Sequence, residues 1–184
     1  MTKKHVPPAP ENSYWVMPGS LMAGAYPAHP SEESRHRGIL QELLACGVTD
    51  FINLVEPEET GMGGQPFRGY FEDYRRLAPP GLQPEMHRFP LVDEGVPAKE
   101  TMVRILDKID ELFDQRRVIY VHCWGGKGRT GTVVGCWLIR NHQSTPDKVL
   151  AHLMSLTAAQ RDFFWHTPNT PEQEEYVKDW EPNQ

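Results

Sequence analysis

Apolar residues at helical spacing mark the longest regular element of the chain. From residue 98 onwards they recur at intervals of three and four, which keeps them on one face of an α-helix. The members of this stripe are Met102, Ile105, Leu106, Ile109, Leu112 and Phe113. The pattern predicts an amphipathic helix that packs by one side against a core.

Further helices are predicted from their start signals and from weaker apolar stripes. One follows Ser31, one covers residues 67–77, and one follows Arg129. Thr145 and Thr170 each stand directly before a proline, which places a hydroxyl N-cap ahead of proline at the first helical position. These two pairs predict two more helices.

Short β-branched or apolar runs between the helices predict the strands. They lie at residues 21–24, 48–55, 86–89 and 118–122. Strands that alternate with helices are typical of an α/β fold with a central, mostly parallel sheet flanked by helices on both faces. Residues 1–13 hold three prolines among polar neighbours and are predicted to form a disordered tail. Residues 14–184 then form a single domain.

Composition and charge narrow the classes of partner. Nineteen Lys and Arg against 25 Asp and Glu give 19 − 25 = −6, so the surface as a whole repels nucleic acid and anionic membranes. No apolar run approaches the roughly 20 residues of a membrane span, and the start lacks the pattern of a signal peptide. We therefore expect a cytoplasmic protein with no nucleic-acid partner and no membrane span, and a monomer as the simplest state.

The three cysteines do not form the pattern of structural disulfides or of a zinc site. Cys46, Cys123 and Cys136 are too few for a disulfide framework and lack the spacing of zinc ligands. Cys46 and Cys136 fall in helical patterns and are expected to be small buried hydrophobes. A free thiol at Cys123 fits a reducing compartment.

Residues 122–131 carry the candidate chemistry, at the point where a predicted strand gives way to a helix. Glycines at 125, 126 and 128 allow successive backbone N–H groups to turn inward around an anion, and the helix adds its positive N-terminal end. The same field favours the thiolate form of Cys123, which can then act as a nucleophile. Arg129 can close the cradle with two parallel hydrogen bonds to phosphate oxygens.

The Cys-x5-Arg spacing, with His122 before it and Thr130 after it, resembles the signature loop of the protein tyrosine phosphatase superfamily, in particular its compact dual-specificity-like branch. The resemblance extends over roughly residues 15–180. It implies the cysteine-phosphatase fold, phosphomonoester hydrolysis through a phosphocysteine, and neither a metal nor another cofactor. Protein phosphotyrosine is the main substrate it implies, with dual specificity possible. The residues it assigns to phosphate binding are Trp124, Gly125, Gly126, Lys127, Gly128 and Arg129.

The family also uses an aspartate on a loop to protonate the leaving oxygen, and residues 89–97 look like that loop. The resemblance points to Asp93 as the general acid, with the adjacent Glu94 as the alternative. Taken without the cysteine motif, both could also be solvated carboxylates ahead of a helix N-terminus, where negative charge is favourable.

Three further residues have two interpretations each. Gln173 resembles the family's late glutamine that orients water, but the Thr170-x-x-Gln173 pattern is also a capping box. His122 is implied to hydrogen-bond within the loop and steady the thiolate, or is simply a core histidine. Thr130 is implied to help the thiolate leave the phosphoenzyme, and it can also cap the next helix.

Lys127 leaves the substrate class open. A lysine at this place is similar to the loop of phosphoinositide phosphatases, which makes a phosphoinositide the alternative substrate. Those enzymes usually carry a basic residue directly after the cysteine, where this chain has Trp124. A rhodanese-like sulfurtransferase and a non-catalytic phosphate-binding module are the remaining alternatives. Loop 61–69 either lines the entrance of the site or is a turn ahead of an aromatic helix.

Overall fold

The computed structural model describes residues 6–158 and 166–184, with a five-stranded sheet at its centre. Its strands are β1 (Ser13–Met17), β2 (Leu21–Gly24), β3 (Asp50–Asn53), β4 (Glu85–Arg88) and β5 (Ile119–His122). Their spatial order is β1-β2-β5-β3-β4. The β1–β2 pair is antiparallel and the other three pairs are parallel. The mostly parallel sheet predicted from the sequence is confirmed.

Helices cover both faces of this sheet. They are α1 (Glu33–Ala45), α2 (Phe71–Leu77), α3 (Lys99–Asp114), α4 (Gly128–Arg140), α5 (Val149–Thr157) and α6 (Pro171–Lys178), with a short 3₁₀ turn at Met62–Gly64. Residues of α1 and α2 share one apolar cluster, and residues of α3 to α6 share the other. The α/β class with helices on both faces is therefore confirmed.

Neighbouring residues of a buried strand supply the two cores, as β3 shows. Phe51 packs with Tyr70 and Tyr74 on the α1–α2 side, whereas the next residue, Ile52, belongs to the cluster on the opposite side. This alternation is the two-residue period of a strand buried on both faces. The predicted stripe of α3 is confirmed, because its five members from Met102 to Leu112 are buried.

Of the two helices predicted from a Thr-Pro pair, one starts later than expected and the other starts as expected. Helix α5 begins at Val149 rather than at Pro146, after a turn in which the Lys148 and Val149 N–H groups donate to the Thr145 carbonyl. The Thr145 hydroxyl donates to Asp147 Oδ1 at 2.6 Å. Helix α6 begins at Pro171 as predicted, and Thr170 Oγ1 accepts a hydrogen bond from the Gln173 N–H at 3.2 Å.

The N-terminal part of the chain is more engaged than a loose tail. Residues 1–5 of the predicted tail lie outside the described residues. Within 6–12, the carbonyl of Pro7 accepts a hydrogen bond from Trp15 Nε1 at 2.8 Å, and that of Pro10 accepts one from the Ser13 N–H at 3.1 Å. These bonds lead into β1, whose antiparallel pairing places the segment at the sheet edge.

The central strand β5 determines where the site lies. It runs between β2 and β3 and ends at His122, so the loop after it emerges at the carboxyl edge of the parallel strands. That edge is where α/β sheets bind ligands. Within residues 6–158 and 166–184, no helix combines the length and apolar character needed to cross a bilayer.

Candidate active site

The loop between β5 and α4 is pressed against the end of β2. Gly126 has φ of 73°, and a Cβ there would lie 2.3 Å from the carbonyl carbon of Gly24 and 2.5 Å from the nitrogen of Ala25. Only glycine fits both the left-handed backbone and this approach. The Tyr26 N–H donates to the Trp124 carbonyl at 2.8 Å and holds the same side of the loop. The glycine pattern thus gives the loop a fixed curvature.

Cys123 lies where this loop begins, directly after β5. The free thiol is 3% exposed and lines a cavity of about 150 Å³. The other residues around this cavity are Asp93, Glu94, Trp124, Gly125, Lys127, Gly128 and Asn169. The candidate nucleophile and both candidate acids therefore face one small space.

Arg129 lies in the first turn of α4 and is 1% exposed. Its Nη1 and Nη2 atoms donate to the two carboxylate oxygens of Glu59 at 2.5 and 2.7 Å, and Nη1 also donates to the Leu91 carbonyl at 3.1 Å. Burial alone would lower the pKa of Arg129. The hydrogen bonds to Glu59 and the negative neighbours Cys123 and Asp93 outweigh it and raise that pKa. The guanidinium is thus held charged in a fixed orientation.

Asp93 faces the same guanidinium from the loop after β4. Its Oδ1 lies 2.9 Å from Arg129 Nη2, and its side chain is 52% exposed. Glu94, the alternative acid, has a positive φ of 59° and also lines the cavity. The ion pair brings Asp93 to Arg129.

The Arg129 donors are not all taken by Glu59. The buried Nε–H has no hydrogen-bond partner among the residues that the structure describes, and Nη2 also lies 2.9 Å from Asp93 Oδ1. Nε and Nη2 form the edge of the guanidinium that can bind two oxygens of a phosphoryl group in parallel. Phosphate on that edge would compete with Asp93 for Nη2.

His122 is completely buried at the end of β5 and bonds away from the cavity. Its Nδ1 lies 3.3 Å from the Cys123 carbonyl, and its Nε2 lies 2.6 Å from the Tyr70 hydroxyl. Burial lowers the pKa of His122 to about 3. The ring is therefore neutral, with Nδ1 donating to the carbonyl and Nε2 accepting from Tyr70. This arrangement fixes the backbone beside the thiol.

Thr130 lies in the first turn of α4 and Gln173 in the first turn of α6. Thr130 is buried, and its hydroxyl makes no hydrogen bond to any described residue. The Gln173 amide donates to the Gly95 carbonyl at 3.0 Å and accepts from the Asn169 N–H at 3.2 Å. The Thr170 hydroxyl caps α6, but the Gln173 side chain links the acid loop to the start of that helix.

The remaining loop residues form the floor and rim of the cavity. Gly128 lies so close to α6 that a Cβ there would be 3.0 Å from Gln173 Oε1. Lys127 lines the cavity at the start of α4. Trp124 is 39% exposed and stands at the rim, where its ring lies 6.2 Å from that of Phe67. Loop 61–69 therefore does reach the edge of the site.

Sequence reasoning missed Glu59, which makes the bidentate contact with Arg129. One signal was available, because residues 56–59 include three glutamates directly after β3. Since β3 is the parallel neighbour of β5, its carboxyl end lies beside the cysteine loop. An acidic run at that edge predicts a partner for a buried arginine.

Comparison with known proteins agrees with this geometry. Residues 10–175 match the family model described as PTP-SAK, a Swiss Army Knife protein DSP-PTPase phosphatase domain. The phosphatidylglycerophosphate phosphatase PTPMT1 of Arabidopsis thaliana is 28% identical over 136 residues, which are 74% of this chain and 35% of that protein. A relative from Invertebrate iridescent virus 3 is aligned over 63% of its own length. The chain thus spans less than two thirds of both relatives.

Solved structures share the fold. Tk-PTP in its active form superimposes with a TM-score of 0.67 at 22% identity, covering 92% of this chain and 96% of that one. A kinase-associated phosphatase gives a TM-score of 0.66 at 20% identity, covering 85% and 83%. Both similarities concern architecture.

The resemblance inferred from the Cys-x5-Arg loop is confirmed, and the family match favours it over the rhodanese-like alternative. The matched span contains the cysteine loop, the Asp93 loop and the start of α6. This chain belongs to the DSP-PTPase phosphatase domain family, the compact dual-specificity-like branch of the protein tyrosine phosphatase superfamily.

Proposed function

We propose that this protein is a cysteine-dependent phosphatase that hydrolyses phosphomonoesters through a phosphocysteine intermediate. The observation that carries the proposal is one cavity of about 150 Å³ that Cys123 and Asp93 both line, with Asp93 Oδ1 2.9 Å from Arg129 Nη2. A nucleophile, an anion-binding guanidinium and an acid therefore converge on a single point.

In the first step, the Cys123 thiolate attacks phosphorus and forms an S–P bond while the bond from phosphorus to the leaving oxygen breaks. Arg129 and the loop N–H groups bind the other phosphoryl oxygens. Asp93 gives its proton to the leaving oxygen, because an alkoxide or phenoxide leaves poorly without a general acid. Phosphate on the Nε and Nη2 edge releases Asp93 from Arg129 for that role.

In the second step, water attacks the phosphocysteine. Asp93, now ionised, takes a proton from the water as its oxygen bonds to phosphorus, and the S–P bond breaks to return the thiolate. The Thr130 hydroxyl stabilises the departing sulfur, in line with its lack of another partner among the described residues. We assign Gln173 to holding the acid loop, since its amide donates to the Gly95 carbonyl.

The positive charge of the cradle and of Arg129 does the work that a metal does in other phosphatases, so we propose turnover without metal or cofactor. Because catalysis requires a reduced Cys123, we further propose a cytoplasmic setting. A monomer is proposed as the simplest state. Phosphorylated protein, chiefly phosphotyrosine, is the proposed substrate, and no nucleic-acid partner is proposed.

A phosphoinositide is the second candidate substrate. Lys127 lines the cavity, and the Arabidopsis relative bears the name of a lipid phosphatase. Against it stand the exposed carboxylates of Asp93 and Glu94 at the same rim and the net charge of −6, which repel a second phosphate. Phosphotyrosine therefore remains the main proposed substrate.

Phosphate release in EDTA and a reducing agent tests this proposal. The substrates are a phosphotyrosine peptide, a phosphothreonine peptide and a soluble phosphoinositide. Preference for the tyrosine peptide is expected. Preference for the inositide would make Lys127 a specificity residue, and release that requires an added metal would contradict the scheme.

A further inference from the structure

A second, larger cavity adjoins the phosphate cavity on the far side of Trp124. It has a volume of about 430 Å³, and we call it the Phe67 pocket after its central ring. Tyr26, Ala28, Pro66, Phe67 and Trp124 are among its lining residues. Among the described residues, Trp124 alone lines both cavities. A molecule seated in the phosphate cavity therefore meets the Phe67 pocket across a single side chain.

The walls of the Phe67 pocket are aromatic. The rings of Tyr26 and Phe67 lie 4.7 Å apart at 32°, and Phe67 meets Trp124 at 6.2 Å and 68°. The Tyr26 hydroxyl donates to the Arg68 carbonyl at 3.1 Å, so its polar end is satisfied and its ring is left to face the pocket. Its volume lies within the range of about 300–1,000 Å³ that is usual for ligand sites, and such walls suit an apolar group.

The charges around the Phe67 pocket argue against an anionic occupant. The Arg68 guanidinium forms ion pairs with Glu33 and Asp73, so its charge is already matched. On the other side of Phe67, a neighbouring cavity of about 330 Å³ is lined by three glutamates and one arginine, namely Glu56, Glu58, Glu59 and Arg88. Glu59 is already paired with Arg129, and the remaining two carboxylates outnumber the Arg88 guanidinium. A lipid headgroup with further phosphates, or an anionic bilayer, would approach these carboxylates. A peptide with an uncharged apolar side chain would not.

We propose that the Phe67 pocket is a specificity subsite that receives an apolar side chain lying one or two residues from the phosphorylated residue of a peptide. This inference rests on the proposed phosphatase function. Consecutive Cα atoms are about 3.8 Å apart, so a residue at this separation reaches past one tryptophan side chain. The phosphate of the substrate then binds to the loop that follows Cys123, and the apolar side chain beside the phosphorylated residue packs against Phe67 and Trp124.

The test is a set of phosphotyrosine peptides in which one leucine is moved from position −2 to position +2 on an alanine background. We expect leucine at one position to raise kcat/KM at least about tenfold over the all-alanine peptide, the order expected from burying one such side chain. Phe67→Ala should bring the ratio of kcat/KM between the leucine and all-alanine peptides down to about one, because it removes a wall of the pocket. Ala28→Leu should do the same by filling the pocket. Met154→Ala, which removes an exposed apolar side chain on α5, should keep it.

The ratio is measured within each variant, so a general loss of folded enzyme cancels. Turnover of p-nitrophenyl phosphate by the unaltered protein reports the proposed function separately. Normal turnover with equal rates for all peptides, or a leucine preference that survives Ala28→Leu, would overturn the subsite while the phosphatase stands. No turnover of any substrate would remove both. A higher kcat/KM for dioctanoyl phosphoinositide than for its free headgroup that depends on Phe67, together with no gain from leucine, would assign the pocket to acyl chains. That result would contradict the peptide proposal.

Discussion

The parallel strands carry a cluster of charged residues at each end, and the two clusters differ in kind. At the carboxyl end, buried Arg129 binds Glu59 and Asp93 beside a cavity that holds a thiol. At the amino end, Asp50 is completely buried, and its two oxygens lie 3.1 Å from His87 Nε2 and 2.5 Å from Arg117 Nε.

At the amino end, the charged side chains are paired with one another. Asp50, Glu85 and His87 place ligating atoms within 4.8 Å of one another, but Arg117 already donates to Asp50. At the carboxyl end, Arg129 Nε is without a partner among the described residues, and the cavity reaches Cys123. Burial of charge alone therefore does not make a site, and we expect only the carboxyl-end cluster to affect catalysis.

Apart from loss of the nucleophile, the largest effect is expected for the acid. Asp93→Ala should lower kcat by ~10² to 10⁴, the size of a general-acid contribution. The loss should be smaller for p-nitrophenyl phosphate than for phosphotyrosine, because p-nitrophenolate leaves without a proton. Steady-state kinetics on both substrates measure it, with Glu94→Gln as the matched control. An unchanged kcat in Asp93→Ala together with a fall in the control would move the role to Glu94.

The carboxylate that orients Arg129 should matter next. Glu59→Gln removes the negative charge, keeps one acceptor oxygen for the guanidinium and sets an amide NH2 against its other donor. We therefore expect kcat/KM to fall about 10²-fold, as for a misplaced binding group. Glu58→Gln, a change at the exposed neighbour, should leave kcat/KM near the original value. Equal values for both variants would show that the bidentate contact is not needed for catalysis.

The amino-end cluster should affect stability only. Asp50→Asn leaves Arg117 without its buried partner and should lower the free energy of unfolding by about 3 kcal/mol. Asp107→Asn breaks an exposed pair with Arg140 and should cost less than about 1 kcal/mol. Denaturant titration measures both, and kcat of the folded Asp50→Asn protein should be unchanged. A loss of kcat there would erase the distinction between the two ends.

His122 gives the smallest effect, one that depends on pH. Its pKa is about 3 in the folded protein against 6.5 ordinarily, so the unfolded chain binds more protons between these values. Stability from the neutral ring is complete above pH 6.5 and is lost as the pH falls towards 3. Between pH 6.5 and 5 the loss is about 2 kcal/mol. His122→Gln, which keeps an acceptor for Tyr70, should lose less over this range in denaturant titrations, and equal slopes would contradict a neutral buried histidine.

More of the carboxyl-end site than of the amino-end cluster could be predicted from the sequence, because most of that site lies within one loop. Gly126, Cys123 and Arg129 lie within one loop, and their spacing alone indicates an anion cradle. Glu59 contacts Arg129 from 70 residues away, and no local pattern links the two. The pairing that buries Asp50 is equally non-local. The predicted start of α5 at Pro146 was wrong by three residues, because a turn closed on the Thr145 carbonyl precedes the helix.

Covalent catalysis by Cys123 is the central claim, and its most direct test is turnover by Cys123→Ser. The account predicts phosphate release from a phosphotyrosine peptide at the level of the blank, with the affinity for that peptide retained, because Arg129 and the loop are unchanged. Cys46→Ser, a change at a buried cysteine on the α1–α2 side, should keep normal turnover. Normal phosphate release by Cys123→Ser would contradict the account.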